Sequence, residues 1–235
     1  MRPTKDRVKA AVFSALSARD LLRDAVVLDV YAGSGALGIE ALSRGAAAAT
    51  FVEQDRDAAS AIRANLAACG FAGVVVESDA GGFLRTAARR MTGTSGSGAT
   101  VDLAFVDPPY DLSDRELRPV LAGVAGLVPG GLIVLERPAR RRDPAPRDQA
   151  DQGRASDRAR VASRSNRARR DAGNDAGNDA GHEVYAADDA DLLPEWRTSW
   201  SRKFGDTLVT FWTPAAADDE SRDTLTRPPT RRGDA

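Results

Sequence analysis

Apolar and polar positions alternate in short blocks along the first 136 residues. Across residues 5–18, Val8, Ala11, Val12, Ala15 and Leu16 recur at helical spacing, with Thr4 where an N-cap belongs. Compact apolar runs follow and predict strands at Val26–Val30, Thr50–Glu53, Gly73–Glu77, Leu103–Val106 and Leu132–Leu135. Helical stretches separate them at 36–44 (closed by Gly45), 57–69 (closed by Gly70), about 82–90 and about 115–126. A Gly/Ser/Thr loop at 92–100 leads into the fourth strand. Near-continuous apolar strands alternating with helices imply an α/β fold, a mostly parallel sheet covered on both faces. Such sheets bind ligands at the carboxyl ends of their strands, so chemistry is expected just after them.

The periodicity stops at Arg140. Residues 140–182 are rich in Arg, Asp, Ala and Gly and end in a tandem Asp-Ala-Gly-Asn repeat at 171–178. With almost no large apolar side chain, this stretch cannot bury enough surface to offset its ordering entropy, and it is expected to be a disordered insertion. Order is expected again over 183–214, where Ser199–Lys203 and Thr207–Trp212 predict a β-hairpin turning at Phe204-Gly205-Asp206. The expected organisation is thus a core at 1–139, an insertion at 140–182, the rest of the core at 183–214 and a loose tail at 215–235.

Composition changes this picture in a few places. The net charge of −1 conceals residues 140–170, which hold 11 Arg against 4 Asp and leave the remainder acidic at −8. One cysteine (Cys69) excludes a disulfide framework, and one histidine (His182) with one cysteine makes a zinc site or a His-dependent triad unattractive. No metal is expected. Cys69 itself is expected to be a small core hydrophobe. No apolar run nears the roughly 20 residues that span a bilayer, and no export signal opens the chain. A cytoplasmic protein without a membrane partner is the expectation.

The first chemical motif is Asp29-Val-Tyr31-Ala32-Gly33-Ser34-Gly35-Ala-Leu-Gly38. Glycines let the backbone turn sharply and let a cofactor approach where a Cβ would clash. Glu53, at the end of the second strand, is placed to accept both hydroxyl hydrogens of a ribose. Taken alone, the motif fits a dinucleotide, S-adenosylmethionine, or a Gly-rich turn with no ligand. A carboxylate such as Asp29 would repel a pyrophosphate but suits the cationic end of S-adenosylmethionine.

The second motif, Asp107-Pro108-Pro109-Tyr110, follows the fourth strand. Consecutive prolines fix the backbone and remove two N–H donors, which frees nearby carbonyls to accept from a substrate. The aspartate adds an acceptor and the tyrosine a flat face for a base. An exocyclic amine, whose lone pair is conjugated into its ring, needs such acceptors to become a nucleophile. The plainer reading is a tight turn capped by Asp107 with Tyr110 in the core.

This signature resembles that of S-adenosylmethionine-dependent amino-methyltransferases acting on adenine N6, guanine N2, cytosine N4 and glutamine N5. Arg2-Pro-Thr4-Lys-Asp-Arg7 with Phe13, Ser78-Asp79-Ala80 with Phe83-Leu84, and Ser201-Arg-Lys-Phe204-Gly-Asp-Thr207 narrow the resemblance to the RsmD-type 16S rRNA guanine-N2 methyltransferases. Position 204 is more usually Tyr in that family. The resemblance covers residues 2–136 and 192–213. It implies a Rossmann-like class I methyltransferase fold, with a mostly parallel seven-stranded sheet, helices on both faces and a C-terminal antiparallel hairpin. It implies S-adenosylmethionine held by Asp29, Tyr31, Ala32, Gly33, Ser34, Gly35, Gly38, Glu53, Gln54, Asp79 and Ala80. Arg7 and Thr4 would order its methionine end, or serve only as a surface cation and a cap. Asp107 and the Pro108 carbonyl would orient the guanine N2, with Pro109 shaping the turn and Tyr110 stacking on the base. Phe204, Trp196 and Trp200 are expected to pack rather than to touch ligand.

The implied partner is 16S rRNA or the assembled small ribosomal subunit, and the implied state is a monomer. Family members carry a basic hairpin ahead of the Arg-Pro-Thr motif, so a chain opening at Met1 is expected to lack it or to have a misassigned start. The Arg-rich insertion could supply RNA contacts in its place, or simply be solvated. Three rivals share parts of the pattern. An adenine-N6 DNA methyltransferase would use the same Asp107–Tyr110 motif, but usually with an added recognition domain. A nucleotide-dependent oxidoreductase would explain the glycines and leave Asp107–Tyr110 unexplained. An inactive RNA-binding remnant would have no reason to keep both motifs.

Overall fold

A computed structural model describes residues 3–92, 100–139 and 192–215. The expected insertion, most of the 92–100 loop, His182 and nearly all of the expected tail lie outside the described residues. Elements follow in the order α1 (Pro3–Ser17), β1 (Val26–Val30), α2 (Ala36–Ser43), β2 (Ala48–Glu53), α3 (Arg56–Cys69), β3 (Val74–Glu77) and α4 (Ala80–Thr92). Then come β4 (Leu103–Val106), α5 (Asp114–Leu127), β5 (Leu132–Pro138), β6 (Trp196–Phe204) and β7 (Thr207–Pro214). The strands form one seven-stranded sheet in the order β3-β2-β1-β4-β5-β7-β6. Neighbours among β1 to β5 are parallel, while β7 runs antiparallel to both β5 and β6.

The two-residue period of the strands divides the core between the faces. Val27, Phe51, Phe105 and Val134 point to one side, where Phe13 and Leu16 of α1, Ala41 of α2 and Ile62 of α3 cover them. Leu28, Val52, Ala104 and Ile133 point to the other, under Leu84 of α4 and Leu121 and Val124 of α5. The Phe13 and Phe105 rings meet with centroids 5.6 Å apart, and both side chains are wholly buried. Each such burial is worth about 1.5–3 kcal/mol. Trp200 packs on Phe211 of the hairpin at 4.7 Å, Trp196 lies against the second cluster and Phe204 against the first.

Two expectations are corrected. Thr4 does not cap α1 but lies inside it, because Pro3 opens the helix with a φ already suited to the first turn and no N–H left to satisfy. Cys69 is exposed rather than buried. The apolar face of α3 runs through Ala59, Ile62 and Leu66 and then stops, since Gly70 turns left-handed (φ 72°). The chain folds back there, with the Phe71 amide donating to the Leu66 carbonyl (2.9 Å), and Phe71 takes the core position instead. One strand runs well past its apolar run: β5 continues three residues past Leu135, because β7 supplies a ladder there.

β1 is flanked by β2 on one side and β4 on the other, and the chain reverses direction across the sheet between them. That switch point opens a crevice at the carboxyl ends of β1 and β4. The glycine loop and the Asp107–Tyr110 turn both emerge there.

Candidate active site

The glycine loop is held from three sides. The Gly33 amide donates to Glu53 Oε2 at 2.8 Å, tying the loop to the end of β2. The Ala32 amide donates to the Val52 carbonyl at 3.1 Å, and the Gly35 amide closes a tight turn on the Ala32 carbonyl at 2.8 Å. Asn65 of α3 donates from Nδ2 to the Ser34 carbonyl at 3.0 Å. Tyr31, Gly33 and Gly35 take positive φ (63°, 55° and 77°), alternating with Ala32 and Ser34, which do not, as the backbone turns into α2. Tyr31 bears that conformation with a full side chain, a strain of about 1–3 kcal/mol at a residue flanking the crevice. A Cβ on Gly33 would meet nothing within 4 Å, whereas one on Gly38 would strike the Phe51 ring at 2.3 Å. Gly33 therefore borders open space and Gly38 lets α2 lie on β2.

Three carboxyl groups converge at this loop. Asp29 is buried (1% exposed) and accepts from the Gly38 amide at 2.9 Å, in the first turn of α2. Burial pushes its carboxyl up to about 8, against the Gly38 hydrogen bond, and the negative charges of Asp107 and Glu53 add to the rise. Glu53 also accepts the Asp55 amide on Oε1 (2.9 Å), so each of its oxygens holds one backbone donor and keeps lone pairs for a ligand. The crevice is consequently hostile to a pyrophosphate and suited to a ligand with hydroxyls and a positive charge.

A little further along, the Ser78 amide donates to the Glu53 carbonyl at 3.0 Å, which sets the start of α4 beside the end of β2. Asp79 caps α4 through the Gly82 amide (2.8 Å) and is exposed, while Ala80 is buried. Tyr31 is half-buried and packs on the same cluster as Phe83 and Leu112. Burial raises its phenol above the usual range, with the charges of Asp79 and Glu116 contributing. Gln54 is exposed at the end of β2. Arg7 is exposed on α1, and among the described residues nothing ties it to the glycine loop.

At β4 the Asp107 amide donates to the Val30 carbonyl (3.4 Å), so the second motif begins where β1 ends. Asp107 is half-buried and Pro108 buried, while Pro109 and Tyr110 are exposed. The Pro109 carbonyl accepts the Leu112 amide (3.0 Å), and among the described residues no donor takes the Pro108 carbonyl. Tyr110 is 53% exposed, one of the two large apolar side chains left open to solvent among the described residues. A tyrosine packed in the core is thereby excluded. Ser113 and Glu116 form a reciprocal capping box that fixes the start of α5 directly behind this turn. Arg137, buried near the end of β5, pairs with Asp114 at 3.5 Å and braces the same helix start.

Asn65, Arg137, Asp114 and Glu116 were not foreseen from the sequence. A polar Asn within an alanine-rich helix was the one signal available for Asn65. Arg137 and Asp114 lie 23 positions apart and meet only through the sheet.

Residues 1–160 match the family described as Conserved hypothetical protein 95. The chain is 41% identical over 111 residues to Ribosomal RNA small subunit methyltransferase D of Escherichia coli, covering 47% of this chain and 50% of that one. It is 37% identical over 122 residues to Putative rRNA methyltransferase YlbH of Bacillus subtilis, covering 51% and 60%. The chain thus spans about half the length of the curated relatives it matches. Among solved structures, Putative methyltransferase yhhF of Escherichia coli superposes with a TM-score of 0.58 at 26% identity, over 92% of this chain and 88% of that one. Magnesium protoporphyrin IX methyltransferase of Synechocystis superposes at 0.57 with 11% identity, over 90% and 80%, a likeness of fold alone. With its class I methyltransferase sheet and these relatives, the chain belongs to the Conserved hypothetical protein 95 family of RsmD-type proteins.

Proposed function

We propose that the protein methylates the exocyclic N2 of a guanine in 16S rRNA, with S-adenosylmethionine as methyl donor. The observation that carries this reading is the Asp107–Tyr110 turn. It sets a half-buried carboxylate, a Pro108 carbonyl with no donor among the described residues and an exposed tyrosine face together at the mouth of the switch-point crevice. The kinship to small-subunit rRNA methyltransferases supports the choice of RNA over DNA.

The cofactor fits the crevice by the chemistry of its donors. Glu53 retains lone pairs for ribose hydroxyls, Asp29 and its carboxylate neighbours favour a cation, and Gly33 borders the room a ligand needs. Asp79 and Ala80, with Gln54 alongside, face the adenine in this reading, and Tyr31, Ala32, Ser34, Gly35 and Gly38 form the loop that carries the methionine portion. When bound, S-adenosylmethionine supplies an electrophilic methyl carbon. The chain's own residues do the rest by positioning and electrostatics. Asp107 and the Pro108 carbonyl accept the two N–H groups of the amine and orient its lone pair. Their negative potential stabilises the positive charge that develops on nitrogen, and in this reading Asp107 takes the proton that nitrogen sheds. Tyr110 stacks on the extruded base and holds its plane. No covalent enzyme intermediate is required.

The test is transfer from methyl-labelled S-adenosylmethionine to 30S subunits, naked 16S rRNA and duplex DNA in parallel, with nucleoside analysis. N2-methylguanosine from either RNA substrate is expected, and the better substrate identifies the partner. N6-methyladenine in DNA, or no transfer to any of the three, would overturn the reading.

A further inference from the structure

Beside the proposed base site, α4 and α5 pack together and leave a surface groove of about 980 Å³ between them. Leu84, Val120 and Gly123 give it an apolar lining, and Arg85 from α4 and Arg115 from α5 line it too. The groove starts close to the candidate site in the chain at both helix starts. Ser113, three residues after Tyr110, lines it on one side, and Gly81, next to Ala80, on the other.

The two helices together carry five arginines against two carboxylates, of which Glu116 also lines the groove. α4 carries three arginines and no carboxylate. Arg85 and Arg89 stand one turn apart on its exposed side, as do Arg115 and Arg118 on α5. The two carboxylates of α5 are both engaged at its first turn. Asp114 faces Arg137, and Glu116, which borders the groove, turns its Oε2 back onto the Ser113 amide (3.1 Å) and hydroxyl (2.6 Å). The Arg85 guanidinium folds back over the first turn of α4, where a Cβ on Gly81 would lie 3.1 Å from its Nη1. That places a planar cation close to the crevice mouth. A guanidinium fork matches the oxygens of a phosphodiester, and an arginine row at this spacing suits a polyanionic strand better than a single anion.

We infer that the α4–α5 groove holds the RNA strand flanking the target nucleotide, with Arg85 and Arg115 of its lining, and Arg89 and Arg118 one turn further along the helices, on its phosphates. This rests on the reading of an RNA substrate and gives that substrate its path across the protein. Gly123 lets Leu84 of α4 pack against α5 and form the groove floor, while the base to be modified turns off the strand toward Tyr110.

Binding of the full chain to a labelled 16S rRNA transcript, measured over a series of salt concentrations, tests this. The doubly substituted Arg85→Glu/Arg89→Glu and Arg115→Gln/Arg118→Gln proteins should bind at least about tenfold more weakly. The slope of log affinity against log salt should fall by about 0.7–0.9 for each phosphate that an arginine no longer neutralises. Arg→Lys at the same positions should recover part of the affinity, and S-adenosylmethionine binding should be unaffected. Arg23→Glu, a charge change on the exposed Asp20 side of the fold, should have a small effect. Unchanged affinity and slope in the groove variants, an equal loss in Arg23→Glu, or a wild-type chain that does not bind the transcript would each overturn the groove. Guanine methylation by groove variants with undiminished binding would sink the groove and leave the reaction standing. Arginine-dependent binding without any methylation would do the reverse.

Discussion

Glu53 Oε2 accepts the Gly33 amide at 2.8 Å, so the acidic residue that ends β2 builds the glycine loop as well as facing the crevice. A carboxylate in that position has two tasks that mutation can separate.

Glu53→Ala should therefore cost S-adenosylmethionine affinity about 10–100-fold, the loss of charge-assisted hydrogen bonds worth about 1.5–3 kcal/mol. Glu53→Gln, which keeps one acceptor oxygen for the loop, should lose less. Isothermal titration of both variants measures this, and an undiminished affinity in Glu53→Gln would mean that loop support alone explains the residue.

Asp107→Ala should leave cofactor affinity within a few-fold of wild type and reduce kcat by about a hundredfold or more, the scale of a lost acid–base group. Parallel losses in binding and turnover would count against a role at the amine. Tyr110→Ala should raise the KM for RNA more than it lowers kcat, because its exposed face contributes stacking of about 1–3 kcal/mol.

Asp29 gives the fold a pH signature. Its carboxyl is raised to about 8 by burial, so the folded chain keeps a proton that the unfolded chain releases above about pH 4. Stability from this group is whole below about pH 4 and is lost as pH rises through about 8. Urea titrations from about pH 5 to about pH 9 should show wild type losing stability relative to Asp29→Asn as pH rises. A difference that stays flat with pH would show that Asp29 is ionised throughout. A cationic ligand beside Asp29 should also expel that proton near neutral pH, which calorimetry in buffers of different ionisation enthalpy detects.

Gly38→Ala should destabilise the fold by about 1–3 kcal/mol, since the added methyl would lie 2.3 Å from the Phe51 ring where α2 crosses β2. Gly33→Ala meets no such clash and should act mainly through its positive φ. Chemical denaturation of the two variants distinguishes crowding from backbone strain.

Much of the sheet could be read in the chain because each strand is an apolar run and each helix carries its own face. Val27 and Leu28, adjacent in sequence, enter opposite cores as a two-residue period demands. The glycine loop and the Asp107–Tyr110 turn emerge after β1 and β4, as expected from their place after apolar runs. Cys69 differs although the end of α3 at Gly70 is legible, because residue type favours burial of a cysteine while the last turn of the helix leaves it in solvent and Phe71 packs instead. Thr4 was misjudged because a good cap residue follows a proline that starts a helix better. The Arg137–Asp114 pair and the Asn65 brace were out of reach, since both depend on elements that meet only after the sheet is assembled.

The placement of β7 between β5 and β6 has a consequence for synthesis on the ribosome. A chain emerging from its amino end can pair β1 to β5 as soon as residue 138 is free, but that partial sheet ends in β5, whose ladder is completed only by Thr207–Pro214. Until then Ile133, Val134 and Leu135, all buried in the finished protein, sit on an open sheet edge without the cover of Phe211 and Trp212. The nascent protein therefore passes through a stage lasting some seventy residues of translation, a few seconds at about 5–20 residues per second, in which this apolar edge is available to other chains.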